Sequence, residues 1–140
     1  MYRRASLIGL LVAVAFVSVP TPAQTARIAV TIPYDFTAGS RRLASGDYVI
    51  TRAIPNDPRV FAFRGAAKHE KAVVMTSSKA DGAAAVATEL TFARYGDEYF
   101  LRSFRIHGDA NLYSIKMSKE EKAAAAKGAE AVLVSLKAAT

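Results

Sequence analysis

The chain has 140 residues, 51% of them hydrophobic, with 19 Lys plus Arg against 12 Asp plus Glu and no cysteine. One domain's worth of sequence is present, enough to bury a single core. The missing cysteines exclude disulfides, thiolate catalysis, a lipoprotein anchor and the common zinc sites.

The first element in chain order is a leader. Arg3 and Arg4 form a positive start, Ala5 to Val19 carries no charge, and Val19-Pro20-Thr21-Pro22-Ala23 offers small residues to a signal peptidase. An apolar run of about 15 residues ended by two prolines is shorter than the roughly 20 needed to cross a bilayer. Residues 1–23 therefore read as a cleaved signal peptide, and 24–140 as a single β-rich domain working in the periplasm or outside the cell with no transmembrane anchor. Losing Arg3 and Arg4 leaves 17 basic residues, a net charge of 17 − 12 = +5. These charges are scattered, which argues for a solvated basic surface and against a nucleic-acid partner.

Ile28, Val30, Ile32 and Tyr34 alternate with Ala29, Thr31 and Pro33, the period of a strand with one buried face. Pro33 has no amide donor and puts that strand at a sheet edge. Gly39-Ser40 and Ser45-Gly46-Asp47 bound a basic loop carrying Arg41 and Arg42, after which Tyr48 to Thr51 begins a second strand. Asn56-Asp57-Pro58 is a turn signal, Val60 to Phe63 a third strand and Ala72 to Thr76 a fourth. Asp81-Gly82 has the chemistry of a tight hairpin, leading into a fifth strand over Val86 to Ala93. Tyr95-Gly96-Asp97 reverses the chain into a sixth, Tyr99 to Ile106, with Phe100, Arg102, Phe104 and Ile106 expected on one face.

His107 to Asn111 reads as a polar loop. Ser118-Lys119-Glu120-Glu121 fits a capping box that opens a helix of about ten residues, stopped by Gly128. Val132 to Leu136 either continues the helix or forms a seventh strand, the strand being favoured; paired near the first, it would protect an exposed edge. The fold class expected is all-β and mainly antiparallel, about seven strands in a meander forming a sandwich or small barrel, with one short C-terminal helix.

Pro33-Tyr34-Asp35-Phe36 leading through Gly39 to Leu43, Gly46, Tyr48 and Val49, together with Arg94 to Leu101 and Ser118 to Glu121, resembles a family of small exported bacterial proteins of uncharacterised function. The chain departs from that pattern at Ala44-Ser45, where the family tends to have Pro-Ala, and at Arg105, where tryptophan is common. The resemblance implies an exported, mostly β domain and brings no activity, ligand or catalytic residue.

Reactive groups are few. His69-Glu70 lacks the second histidine of a zinc-protease helix, since Val73 stands four residues on. His107-Gly108-Asp109 offers one imidazole and one carboxylate without a nucleophile. No catalytic residue, metal site or cofactor is assigned. Gly39, Gly46, Gly82, Gly96 and Asp97 read as turn residues. A non-enzymatic envelope module is the favoured function, with Arg41, Arg42, Tyr34 and Tyr48 contacting an anionic envelope polymer or another envelope protein. Two alternatives stand beside it: a carrier with an apolar ligand in a barrel pocket, and a hydrolase using His107.

Overall fold

The computed structural model describes residues 27–67 and 69–138, and the expected signal peptide, residues 1–23, lies outside them. Ten strands and one helix follow one another: β1 (Ile28–Ile32), β2 (Phe36–Ala38), β3 (Arg41–Leu43), β4 (Gly46–Ile54), β5 (Asp57–Gly65), β6 (Lys71–Ala80), β7 (Glu89–Tyr95), β8 (Glu98–Arg105), β9 (Asn111–Ile115), α1 (Lys119–Ala126) and β10 (Val132–Lys137). The fold is all-β with a C-terminal helix, as the alternation of apolar residues requires.

The sheet runs β1-β4-β5-β6-β9-β8-β2-β3, with β7 on β8 and β10 on β7. Every pairing is antiparallel except a single parallel bridge from Thr37 to Phe100. The sheet is not closed into a barrel, so of the two expected architectures the small barrel is corrected. Strand β6 turns the corner: Lys71 to Met75 pair with β5, and Thr76 to Ala80 pair with β9.

Folding the sheet over encloses one aromatic core. Phe61 and Phe63 of β5 meet Phe104 of β8 edge-on at 4.9 and 5.8 Å, and Tyr113 of β9 stacks on Phe104 at 5.4 Å. Such geometries align ring edges with ring faces and add to the burial of large apolar area. Tyr34 stacks on Tyr99 at 3.8 Å and meets Phe92 edge-on, sealing the other end. The two buried threonines find partners: Thr76 donates to the Arg59 carbonyl at 2.8 Å, and Thr88 accepts the His107 amide at 3.1 Å.

Five local expectations need correction. The basic loop is the hairpin β2–β3, in which Gly39 at φ +63° supplies the positive φ that a two-residue turn demands. Asp81-Gly82 is not a hairpin, because β6 pairs with β9 and the following segment lies against the 107–110 loop. Val86 consequently stands 90% exposed outside any strand, and β7 starts at Glu89. Asn111–Ile115 is a strand where a loop and an unassigned stretch were expected, with Tyr113 and Ile115 buried. Finally, β10 is a strand but pairs with β7, not near β1.

The sixth expected strand exists as β8, yet its residues do not share one face. Thr91 pairs with Ser103 and Phe92 with Leu101, which leaves Arg102 as the extra residue of a β-bulge. The bulge reverses the alternation, so Phe104 and Leu101 enter the main core while Phe100 joins Ala93, Tyr95 and Ala124 in a smaller cluster under the helix.

Candidate functional site

Arg41 and Arg42 are neighbours in β3 and therefore project to opposite sides. Arg41 sends Nη2 to the His69 carbonyl at 3.0 Å and shares a depression with Ser40, Lys71 and Val73. Arg42 lies in a separate small hollow with Asp35, Asp97 and Glu98. One arginine thus sits beside a second cation, Lys71, and the other among carboxylates. Asp97 is exposed in the β7–β8 turn.

The two tyrosines join neither surface. Tyr48 is 1% exposed and donates its hydroxyl to the Ala44 carbonyl at 2.5 Å. Burial, reinforced by the negative charges of Glu70 and Asp35, holds its phenol above the usual range. Tyr34 is half-buried against Tyr99, and its hydroxyl is buried without a partner. Burial followed by the neighbouring Tyr99 raises that phenol too.

Register assembles a different surface from residues the sequence reading passed over. Val49, Arg64 and Lys71 form one cross-strand row on β4, β5 and β6, and Thr51, Ala62 and Val73 form the next. Met75, opposite Val60, continues it. Because Ile50, Phe63, Ala72 and Val74 point into the core, these alternate residues face outward. Beside them a groove of about 650 Å³ is bounded by Arg64 and Lys137 over Ala29, Val49 and Ala66. The available signal was the unbroken apolar run Ala72-Val73-Val74-Met75, which marks a strand apolar on both faces.

The His107 and Asp109 side chains do not form a hydrogen-bonded dyad. Asp109 Oδ1 accepts the Asn111 amide at 2.8 Å and its side-chain Nδ2 at 3.0 Å, while Oδ2 accepts the Tyr113 hydroxyl at 2.5 Å. Burial pushes the Asp109 carboxyl up, but the bonds from Tyr113 and Asn111 outweigh it and leave the group below its ordinary value. A carboxyl with a lowered folded-state pKa contributes stability above its unfolded value of about 3.9, lost as pH falls through the folded value. Asp109→Asn should therefore be less stable than the parent at neutral pH. The gap should close only in acid below the normal carboxylate range; urea midpoints compared across that window would expose a pH-independent gap if this account were wrong.

At the far end of the molecule Ser118 caps α1, its Oγ accepting the Glu121 amide at 3.2 Å. Glu121 is 3% exposed and its Oε1 takes Arg102 Nη2 at 2.8 Å, so its carboxylate serves the bulge of β8. That hydrogen bond, ahead of the remaining influences on it, holds the Arg102 guanidinium above its usual range.

Among the described residues there is no group of three or more metal-ligating side chains, and no helix long and apolar enough to cross a membrane. No family model matches the chain, and no curated protein and no solved structure is similar enough to it to count as a match.

Proposed function

We propose that this chain is an exported, non-enzymatic binding module of the cell envelope, and that its contact surface runs from Arg41 across Lys71 to Arg64. The observation that carries this reading is the segregation of charge around the β2–β3 hairpin: Arg41 shares its depression with Lys71, whereas Arg42 is surrounded by Asp35, Asp97 and Glu98. Export is supported by the leader at residues 1–23, and the module character by the poverty of reactive groups. Arginine forks and lysine ammonium groups gathered without equal numbers of carboxylates suit phosphate- or carboxylate-bearing partners.

Retention on envelope fractions should fall as salt rises, because a Debye length shrinks from about 10 Å at 0.1 M to about 3 Å at 1 M. Arg41→Ala combined with Lys71→Ala should weaken retention roughly tenfold or more, at about 1 kcal/mol per cation near an anionic surface. Arg42→Ala should leave it unchanged. Equal losses from both sets of variants would refute the assignment, and an uncut chain recovered from the cytoplasm would refute export.

A further inference from the structure

The outward face of β4, β5 and β6 combines exposed apolar side chains with a cationic border. Val73 and Met75 are 55% and 67% exposed, and Val49 is 36% exposed, although all three lie in regular strands. Val73 and Met75 are next but one on β6 and so adjoin on this face, opposite Ala62 and Val60, which are buried. Contiguous exposed apolar area marks a surface that is covered in use.

Its border decides by what. Arg64 and Lys71 stand directly opposite one another on β5 and β6. Arg41 adjoins Lys71 and Val73, and Lys137 adjoins Arg64 and Val49 across the groove. Three carboxylates lie nearby: Asp47, whose Oδ1 already accepts the Thr31 hydroxyl at 2.6 Å, Glu70 in the β5–β6 connection, and Glu89 directly opposite Lys137. Four cations against three acids gather at one end of the patch, Glu89 being held between Lys137 and Arg105, and Val73 and Met75 fill the other.

From this we infer that the face docks on an anionic phospholipid bilayer, with Val73 and Met75 entering the acyl boundary and Arg41, Arg64, Lys71 and Lys137 resting among the phosphates. Apolar insertion beside basic residues is the arrangement by which peripheral elements hold to charged membranes. A second copy of the chain fits less well, since it would bring four like charges against four. The inference deepens the proposed binding role and rests on that reading for its location, but its physical content is open to test without export.

The experiment is co-sedimentation of the purified protein with vesicles of phosphatidylcholine alone, and of phosphatidylcholine mixed with phosphatidylglycerol. Binding is expected only to the anionic vesicles, lost in high salt. Val73→Thr with Met75→Thr, which keeps strand-forming side chains at exposed positions, should reduce it roughly tenfold, since burying each CH₂ is worth about 0.8 kcal/mol. Arg64→Gln with Lys71→Gln should do so by a factor of about 25, at roughly fivefold per cation. Arg42→Gln and unchanged thermal melts serve as controls.

Equal binding to neutral vesicles, or binding indifferent to Val73→Thr with Met75→Thr, would overturn the inference. Retention on a soluble polyphosphate but not on vesicles would overturn it while leaving the proposed function standing. A concentration-dependent dimer abolished by the same threonine pair would assign the face to a second copy instead. Vesicle binding by a chain found uncut in the cytoplasm would do the reverse, sustaining the surface and sinking the envelope role.

Discussion

Arg102→Leu should destabilise the protein by about 3 kcal/mol, because it strands a buried carboxylate without its partner. The Glu121 side chain is 4% exposed and that of Arg102 is 35% exposed, so the two halves of the ion pair are not equivalent. Removing Glu121 leaves a guanidinium that water reaches in part, its Nε being buried; removing Arg102 leaves an anion that water does not reach. Glu121→Leu should therefore cost only about 1 kcal/mol, in the range of partly exposed pairs. Arg102→Leu with Glu121→Leu should recover most of the loss, as apolar replacements of buried ion pairs do. Urea unfolding followed by far-UV circular dichroism measures all three, and equal penalties for the two single variants would defeat the argument. The same pair fastens α1 to the bulge of β8, so fraying of residues 119–126 should accompany the loss in the Arg102 variant.

Phe104→Ala should be the most damaging truncation in the core, at about 4 kcal/mol, the sum of lost transfer energy and the cavity left behind. Three aromatic partners converge on that ring: Phe61 and Phe63 from one layer and Tyr113 from the neighbouring strand. With an aromatic pair worth about 0.5–1.5 kcal/mol beyond burial, no single neighbour can relax to refill the space. For a domain of this size the melting temperature should drop by roughly 15 °C. Leu133, 64% exposed on β10, provides the contrast. Leu133→Ala should stay within about 0.5 kcal/mol. A comparable loss at both positions would mean that the core is not centred on Phe104.

How far the chain could be read without coordinates depended on whether the deciding force was local. The Ser118 cap and the Gly128 stop are interactions within a few residues, and both ends of α1 fall where those residues place them. The seven expected strands all exist in some form, because each announces itself through its own alternation. The three further strands do not: Phe36–Ala38 and Arg41–Leu43 have three residues each, too few to establish a period. Asn111–Ile115 followed directly on a polar loop that masked it. The bulge at Arg102 was invisible because it is a property of pairing with β7, not of β8 alone. Alternation alone places Phe100 and Phe104 on one face, as expected above; they belong to two clusters.

The candidate surface follows the same rule. Arg41 and Arg42 could be picked out as an adjacent pair, but adjacency in a strand sends side chains apart, and the pair divides between a basic and an acidic hollow. Arg64, Lys71 and Val49, far apart in sequence, become neighbours only through the register of β4, β5 and β6. Charge counting along the chain could not supply that register. The tyrosines were misjudged for a simpler reason: an aromatic ring next to a basic turn looks the same in sequence whether it faces water or the core.

The bridge between Thr37 and Phe100 bears on when the molecule can first become itself. The β2–β3 hairpin finds its strand partner only in β8, and β6 finds its second neighbour only in β9. A nascent chain paused anywhere before residue 100 would have neither, and long loops must be closed before such contacts repay their entropy. The meander β1-β4-β5-β6 can pair earlier, but its aromatic core closes only when Phe104 and Tyr113 arrive, so the fold is completed late in the chain.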